Sequence, residues 1–124
     1  MLLGLAWPIV TAGSEHKMAA SDVRLALYCM AKLRVRDEKV LRRLADVAGD
    51  VAGDMSRFEV VNCLWALSSM RITRYDLKPL VSRFMSMLDK ADGQNCSNFI
   101  YACHMLGWDN AEDYMAVVHR FSQL

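Results

Sequence analysis

The sequence predicts an all-α protein, an α-solenoid of about three helical hairpins (about six helices) with a period of about 37 residues. Three observations carry this. The first is an internal copy. Residues 58–70 read FEVVNCLWALSSM, and residues 25–33, one period upstream, read LALYCMAKL. Leu27 pairs with Leu64, Tyr28 with Trp65, Met30 with Leu67, Leu33 with Met70 and Val35 with Ile72, apolar on apolar each time. A third copy, NFIYACHML at residues 98–106, sets Asn98, Ile100, Tyr101, Ala102 and Leu106 against Asn62, Leu64, Trp65, Ala66 and Met70. A fixed period of this size marks a stacked supersecondary unit. The second observation is the helical spacing of apolar residues, with no alternating strand pattern and no turn dipeptide to split the long runs. The third is composition: 124 residues, 54% hydrophobic and 23% charged, suit one folded domain and argue against disorder.

Taken in order, residues 1–20 form an N-terminal arm or partial helix. The apolar run 1–10 is too short to span a bilayer, which needs about 20 residues. It also lacks the basic start of a secretory signal and the arginines of a transit peptide. The helical-repeat domain then covers residues 21–124, as repeats of about 21–55, 56–93 and 94–124. The first helix runs from about Asp22 to Leu33 behind Ser21 as N-cap, with Val23, Leu27, Met30 and Leu33 at helical spacing. The second runs from about Asp37 to Val51 on a stripe of Val40, Leu41, Leu44 and Val47, and Gly49 and Gly53 fray or end it.

The third helix opens on Ser56 and Glu59, an S-x-x-E capping box in which each side chain satisfies the other residue's free N–H. The fourth starts near Asp76, which leaves Pro79 in the tolerated first turn, and reaches about Leu88. Gly93 and Gln94 end that pair. The fifth helix covers about Cys96 to Leu106 and stops at Gly107. The sixth covers about Ala111 to Gln123, capped by Asp109 or Asn110. In each pair the first helix is apolar on most faces, as a sandwiched helix must be, and the second is amphipathic.

The repeat resembles the helical hairpins of organellar RNA-associated proteins: heptatricopeptide and octotricopeptide repeats, and the repeats of the FAST-kinase-like and RAP-domain families. Their first helix commonly carries N-x-x-W-A-x-A/S. Asn62, Trp65 and Ala66 fit it, and Asn98, Tyr101 and Ala102 fit it more loosely. Leu25 and Tyr28 stand in for Asn and Trp in the first repeat. The resemblance covers about residues 21–124. It implies an α-solenoid in a mitochondrion or plastid that acts on RNA or within a ribonucleoprotein.

Net charge is only +1, so no global field draws the chain to polyanions. The distribution says more. Arg34, Arg36, Lys39, Arg42 and Arg43 cluster at the turn and second helix of repeat one, and Arg71, Arg74, Lys78 and Arg83 take the same places in repeat two. A row of basic turns can track a phosphate backbone. The plain alternative is a solvated edge balanced by Asp50, Asp54, Asp89 and Asp92. Cations at a helix start oppose the helix dipole, so the surplus arginines have no rationale in helix stability. Repeat three breaks the row with Asp109, Glu112 and Asp113.

Tyr28, Trp65 and Tyr101 recur at one repeat position. They read as core aromatics, with a base-stacking ladder as the alternative. Trp108 and Tyr114 have fewer repeats to cover them and are assigned as partner contacts. Cys29, Cys63, Cys96 and Cys103 show no C-x-x-C pair and read as reduced, mostly buried thiols. Cys96, Cys103 and His104 lack zinc-ligand spacing, and no catalytic motif occurs. No cofactor, metal or small-molecule substrate is expected, nor a direct membrane span. The expectation is a non-catalytic subunit of a mitochondrial matrix ribonucleoprotein, with the mitochondrial ribosome as first choice. It would contact rRNA backbone through Arg34, Arg36, Lys39, Arg42, Arg43, Arg71, Arg74 and Lys78, and neighbouring proteins through Trp108 and Tyr114. The alternative is a protein–protein scaffold or accessory subunit of a mitochondrial membrane complex.

Overall fold

The computed structural model describes residues 19–72 and 75–124. The expected arm at residues 1–20 therefore lies almost wholly outside the described residues, as does Arg74. Among the described residues six α-helices follow one another: α1 (Ala20–Leu33), α2 (Glu38–Val51), α3 (Arg57–Ser69), α4 (Lys78–Ser86), α5 (Gly93–Met105) and α6 (Ala111–Ser122). Short 3-10 turns at Ala52–Asp54 and Leu88–Lys90 join the hairpins, and no strand occurs among the described residues. The architecture is all-helical and matches a small solenoid of about three hairpins. Helices α1, α3 and α5 lie side by side as one layer. Each of α2, α4 and α6 packs behind the first helix of its own hairpin.

Burial explains the two kinds of helix. Central α3 is flanked by α1 and α5, and it buries Val60, Val61, Cys63, Leu64, Ala66, Leu67 and Ser68. Helix α2 has only one side to bury. Val40, Leu41, Leu44, Ala45, Val47 and Ala48 go in, while Lys39, Arg43, Asp46 and Asp50 stay in water. Phe84 of α4 stacks on Phe99 of α5, with ring centroids 4.1 Å apart and both rings fully buried. This pair ties the second hairpin to the third.

The helix starts repeat as faithfully as the apolar pattern. The N–H groups of Ala19, Ser56 and Asp92 donate to the side chains of Asp22 (3.2 Å), Glu59 (2.9 Å) and Asn95 (3.2 Å). Ser56 and Asp92 return the bond to the N–H of Glu59 and Asn95, which completes the capping box expected at Ser56. Just before the starts of α3 and α5, a second-helix arginine secures the chain: Arg83 Nε donates to the Met55 carbonyl at 2.9 Å and Arg120 Nε to the Ala91 carbonyl at 3.0 Å.

Two expected boundaries are corrected. Ser21 is not an N-cap, because α1 begins at Ala20 and Asp22 takes the free N–H of Ala19 instead. Gly93 does not end the second pair. Asp92 caps α5 and Gly93 is its first residue. Helix α2 reaches Val51 as expected, with Gly49 inside it. A Cβ at Gly49 would come within 3.2 Å of the Tyr75 hydroxyl and 3.6 Å of Pro79 Cγ. That hydroxyl donates to the Ala45 carbonyl, so the glycine allows Tyr75 to lie against the helix. Pro79 falls in the first turn of α4, as expected.

Candidate nucleic-acid interface

Each first helix ends in the same way. Arg34, Arg71 and Gly107 have φ of 54°, 53° and 81°, all left-handed. The next residue closes a six-residue loop in each case: Val35 N–H to Met30 carbonyl (3.0 Å), Ile72 to Leu67 (3.2 Å) and Trp108 to Cys103 (2.9 Å). This is the Schellman stop, whose left-handed position favours glycine. Only the third repeat uses one. A side chain there costs about 1 kcal/mol or more, and repeats one and two carry it as arginine.

Those two arginines converge. Between the C-terminal ends of α1 and α3 lies a groove of about 700 Å³ lined by Lys32, Arg34, Arg36, Arg71, Trp65 and Ser69. No acid among the described residues lines it. Tyr28 and Trp65 meet across the helix layer with centroids 5.7 Å apart. The Lys32 ammonium sits over both rings, 5.5 Å from Tyr28 and 5.3 Å from Trp65. Arg36 is partly committed, because its guanidinium donates to the Met70 carbonyl and pairs with Glu38 at 3.1 Å. Lys32, Arg34 and Arg71 have no carboxylate partner among the described residues. Cations close together, unpaired and in front of aromatic faces suit a phosphate chain better than each other.

The remaining expected contacts lie elsewhere. Lys39 and Arg43 are exposed on α2, and Arg42 pairs with Glu38 at 3.3 Å. Lys78 is the first residue of α4, and its N–H donates to Asp76. None of these four lines the groove. Arg83 spends its Nε on its own hairpin. Trp108 and Tyr114 are half-buried. Trp108 Nε1 donates to Asp113 at 2.9 Å and the Tyr114 hydroxyl to the Trp108 carbonyl, so both brace the α5–α6 turn.

The core reading of the recurring aromatic position holds only in part, since Trp65 packs against the core but none of the three rings is fully buried. Tyr101 is 57% exposed, and Tyr28 and Trp65 are half-buried. The first helices form a single layer, so the face turned away from the second helices stays open. On α3 that face carries Phe58, Asn62, Trp65 and Ser69, at the i, i+4, i+7, i+11 spacing of one helix side. Sequence reasoning left out Lys32, although it falls one turn after Tyr28 in the same stripe.

The thiols do not add chemistry. Burial pushes Cys63 and Cys103 up to about 12, with Glu59 and Asp113 adding to the rise, and burial also raises Cys96. Such groups are neutral, unreactive thiols at ordinary pH. Among the described residues no cluster of three or more His, Cys, Asp or Glu could hold a metal, and no helix is long and apolar enough to cross a membrane. Models of known families, curated proteins and solved structures all fail to match the chain.

Proposed function

We propose that this chain is a non-catalytic helical-repeat subunit of a mitochondrial matrix ribonucleoprotein, with the mitochondrial ribosome as first choice. It holds RNA backbone in the groove of Lys32, Arg34, Arg36 and Arg71. The observation that carries this reading is the pair Arg34 and Arg71. Both occupy left-handed positions where glycine is favoured, and both line one groove that has no acid among its described residues. Backbone strain kept at a cationic site points to a partner rather than to folding. The ribonucleoprotein and its organelle rest on the resemblance of the repeat. The test is ultraviolet crosslinking of the tagged chain in cells, followed by sedimentation. Crosslinked rRNA that co-sediments with a ribosomal subunit supports the reading. An RNase-insensitive complex without RNA crosslinks contradicts it.

A second reading, a scaffold or accessory subunit of a mitochondrial membrane complex, draws on the outer side of the third hairpin. Val81 and Phe84 of α4 are buried, but their repeat counterparts Val118 and Phe121 of α6 are 50% and 49% exposed. Respiratory or ATP synthase subunits as the co-purifying set would favour it.

A further inference from the structure

A second groove, of about 650 Å³, opens between the N-terminal ends of α3 and α5. Its lining is amide-rich, with Arg57, Arg83 and Lys90 and a single acid, Asp92, beside the amides. Asn62 and Asn98 fall at the same repeat position on adjacent helices, and both line the groove with Phe58 and Gln94. Asn95, nearby, is already used in the α5 capping box. The carboxamides of Asn62 and Asn98 have no hydrogen-bond partner among the described residues. The Phe58 ring is 59% exposed, with the Arg24 guanidinium 5.5 Å from its centroid. Arg57, also in the lining, keeps a buried Nε with no partner among the described residues. Of the other charged groups there, Asp92 is spent on the Asn95 N–H and Arg83 Nε on the Met55 carbonyl, while Lys90 has no ion pair among the described residues.

We propose that this groove takes an unpaired nucleobase of the RNA strand, stacking it on Phe58 and reading its edge with Asn62 and Asn98. The inference rests on the RNA reading above. A carboxamide presents donor and acceptor together, the pairing a base edge offers and a phosphate does not. Stacking against an aromatic ring needs a base free of its own helix. The two grooves share the exposed stripe of α3. Phe58 and Trp65 stand about 10 Å apart along the helix, so one strand can lie with phosphates at Lys32, Arg34 and Arg71 and a base beside Asn62. A duplex keeps its bases stacked on one another and offers nothing to this pocket.

The test measures binding of the full chain to labelled homopolymers of A, C, G and U, and to duplex RNA, at several salt concentrations. The wild type is expected to prefer one homopolymer by about fivefold or more and to bind duplex more weakly. Asn62→Ala and Asn98→Ala should bring the four homopolymers within about twofold of one another while leaving the salt dependence intact. Asn98 is exposed, so its replacement is expected to leave folding unaffected. Four homopolymers bound equally by the wild type, or a preference that survives both replacements, overturns the base-reading groove and leaves backbone binding standing. Absence of salt-dependent binding to every RNA overturns both.

Discussion

Arg34 and Arg71 share one backbone conformation, φ 54° and 53°, at the same stop position of successive repeats, and their side chains line one groove. In the third repeat the same position is Gly107. On the proposed function, helix stability and partner binding pull in opposite directions at these two residues. Arg34→Gly and Arg71→Gly should each raise stability by about 0.5–1 kcal/mol, because the left-handed strain is removed. Denaturant midpoints check this. A fall in stability would mean that the arginine side chains support the fold.

Gly49 should resist the usual gain from alanine. Replacing a helix-interior glycine gives about 1 kcal/mol, but here the new methyl meets the Tyr75 hydroxyl at 3.2 Å. Gly49→Ala is expected to be neutral or mildly destabilising in the wild type and stabilising by about 1 kcal/mol in a Tyr75→Phe background. A thermal double-mutant cycle measures the difference. Equal effects in the two backgrounds would remove the hydroxyl as the cause.

The Phe84–Phe99 stack should act as the bolt between the second and third hairpins. Both rings are fully buried, so Phe99→Ala is expected to cost about 3–5 kcal/mol. The loss should appear first as hydrogen exchange in α5 and α6, with α1 to α3 protected longer. Uniform loss of protection would show that the stack does not separate the hairpins.

Stability should fall at alkaline pH. Cys63 and Cys103 keep their protons up to about 12 in the fold, against an ordinary value of 9.0. The folded state thus binds more protons than the unfolded one between these values. Each thiol's contribution is complete below pH 9.0 and is lost as pH rises through the window towards about 12. The slope is about 1.4 kcal/mol per pH unit for each group. Burial holds Tyr75 in the same direction. Melting curves from pH 8 to 11 test this, and Cys63→Ala with Cys103→Ala should flatten the decline.

The period, the six helices and the Ser56–Glu59 capping box were legible because each rests on local spacing. Boundaries were less so. Asp92 reads as a turn acid until its bond to the Asn95 N–H makes it a cap, and Ser21 reads as an N-cap until the helix is seen to begin at Ala20. For the site, the charge pattern picked out Arg34, Arg36 and Arg71. It also swept in Lys39, Arg42, Arg43 and Lys78, which share the sequence neighbourhood but not the groove. Trp65 was assigned inward because an apolar helix with neighbours on both sides looks fully enclosed. A single layer of first helices leaves one face open, and only the packing shows that the aromatic position lies there. The φ values of Arg34 and Arg71 carry no sequence signal, apart from their alignment with Gly107.

Backbone binding at the arginine stops is tested most directly by the salt dependence of RNA affinity for the Arg34→Gly/Arg71→Gly double variant. Two lost phosphate contacts should lower the slope of log K against log salt by about 1.4 for a single strand and weaken binding to every sequence alike, in a protein that is more stable than the wild type. An unchanged slope and affinity would contradict the claim that these two arginines hold the RNA.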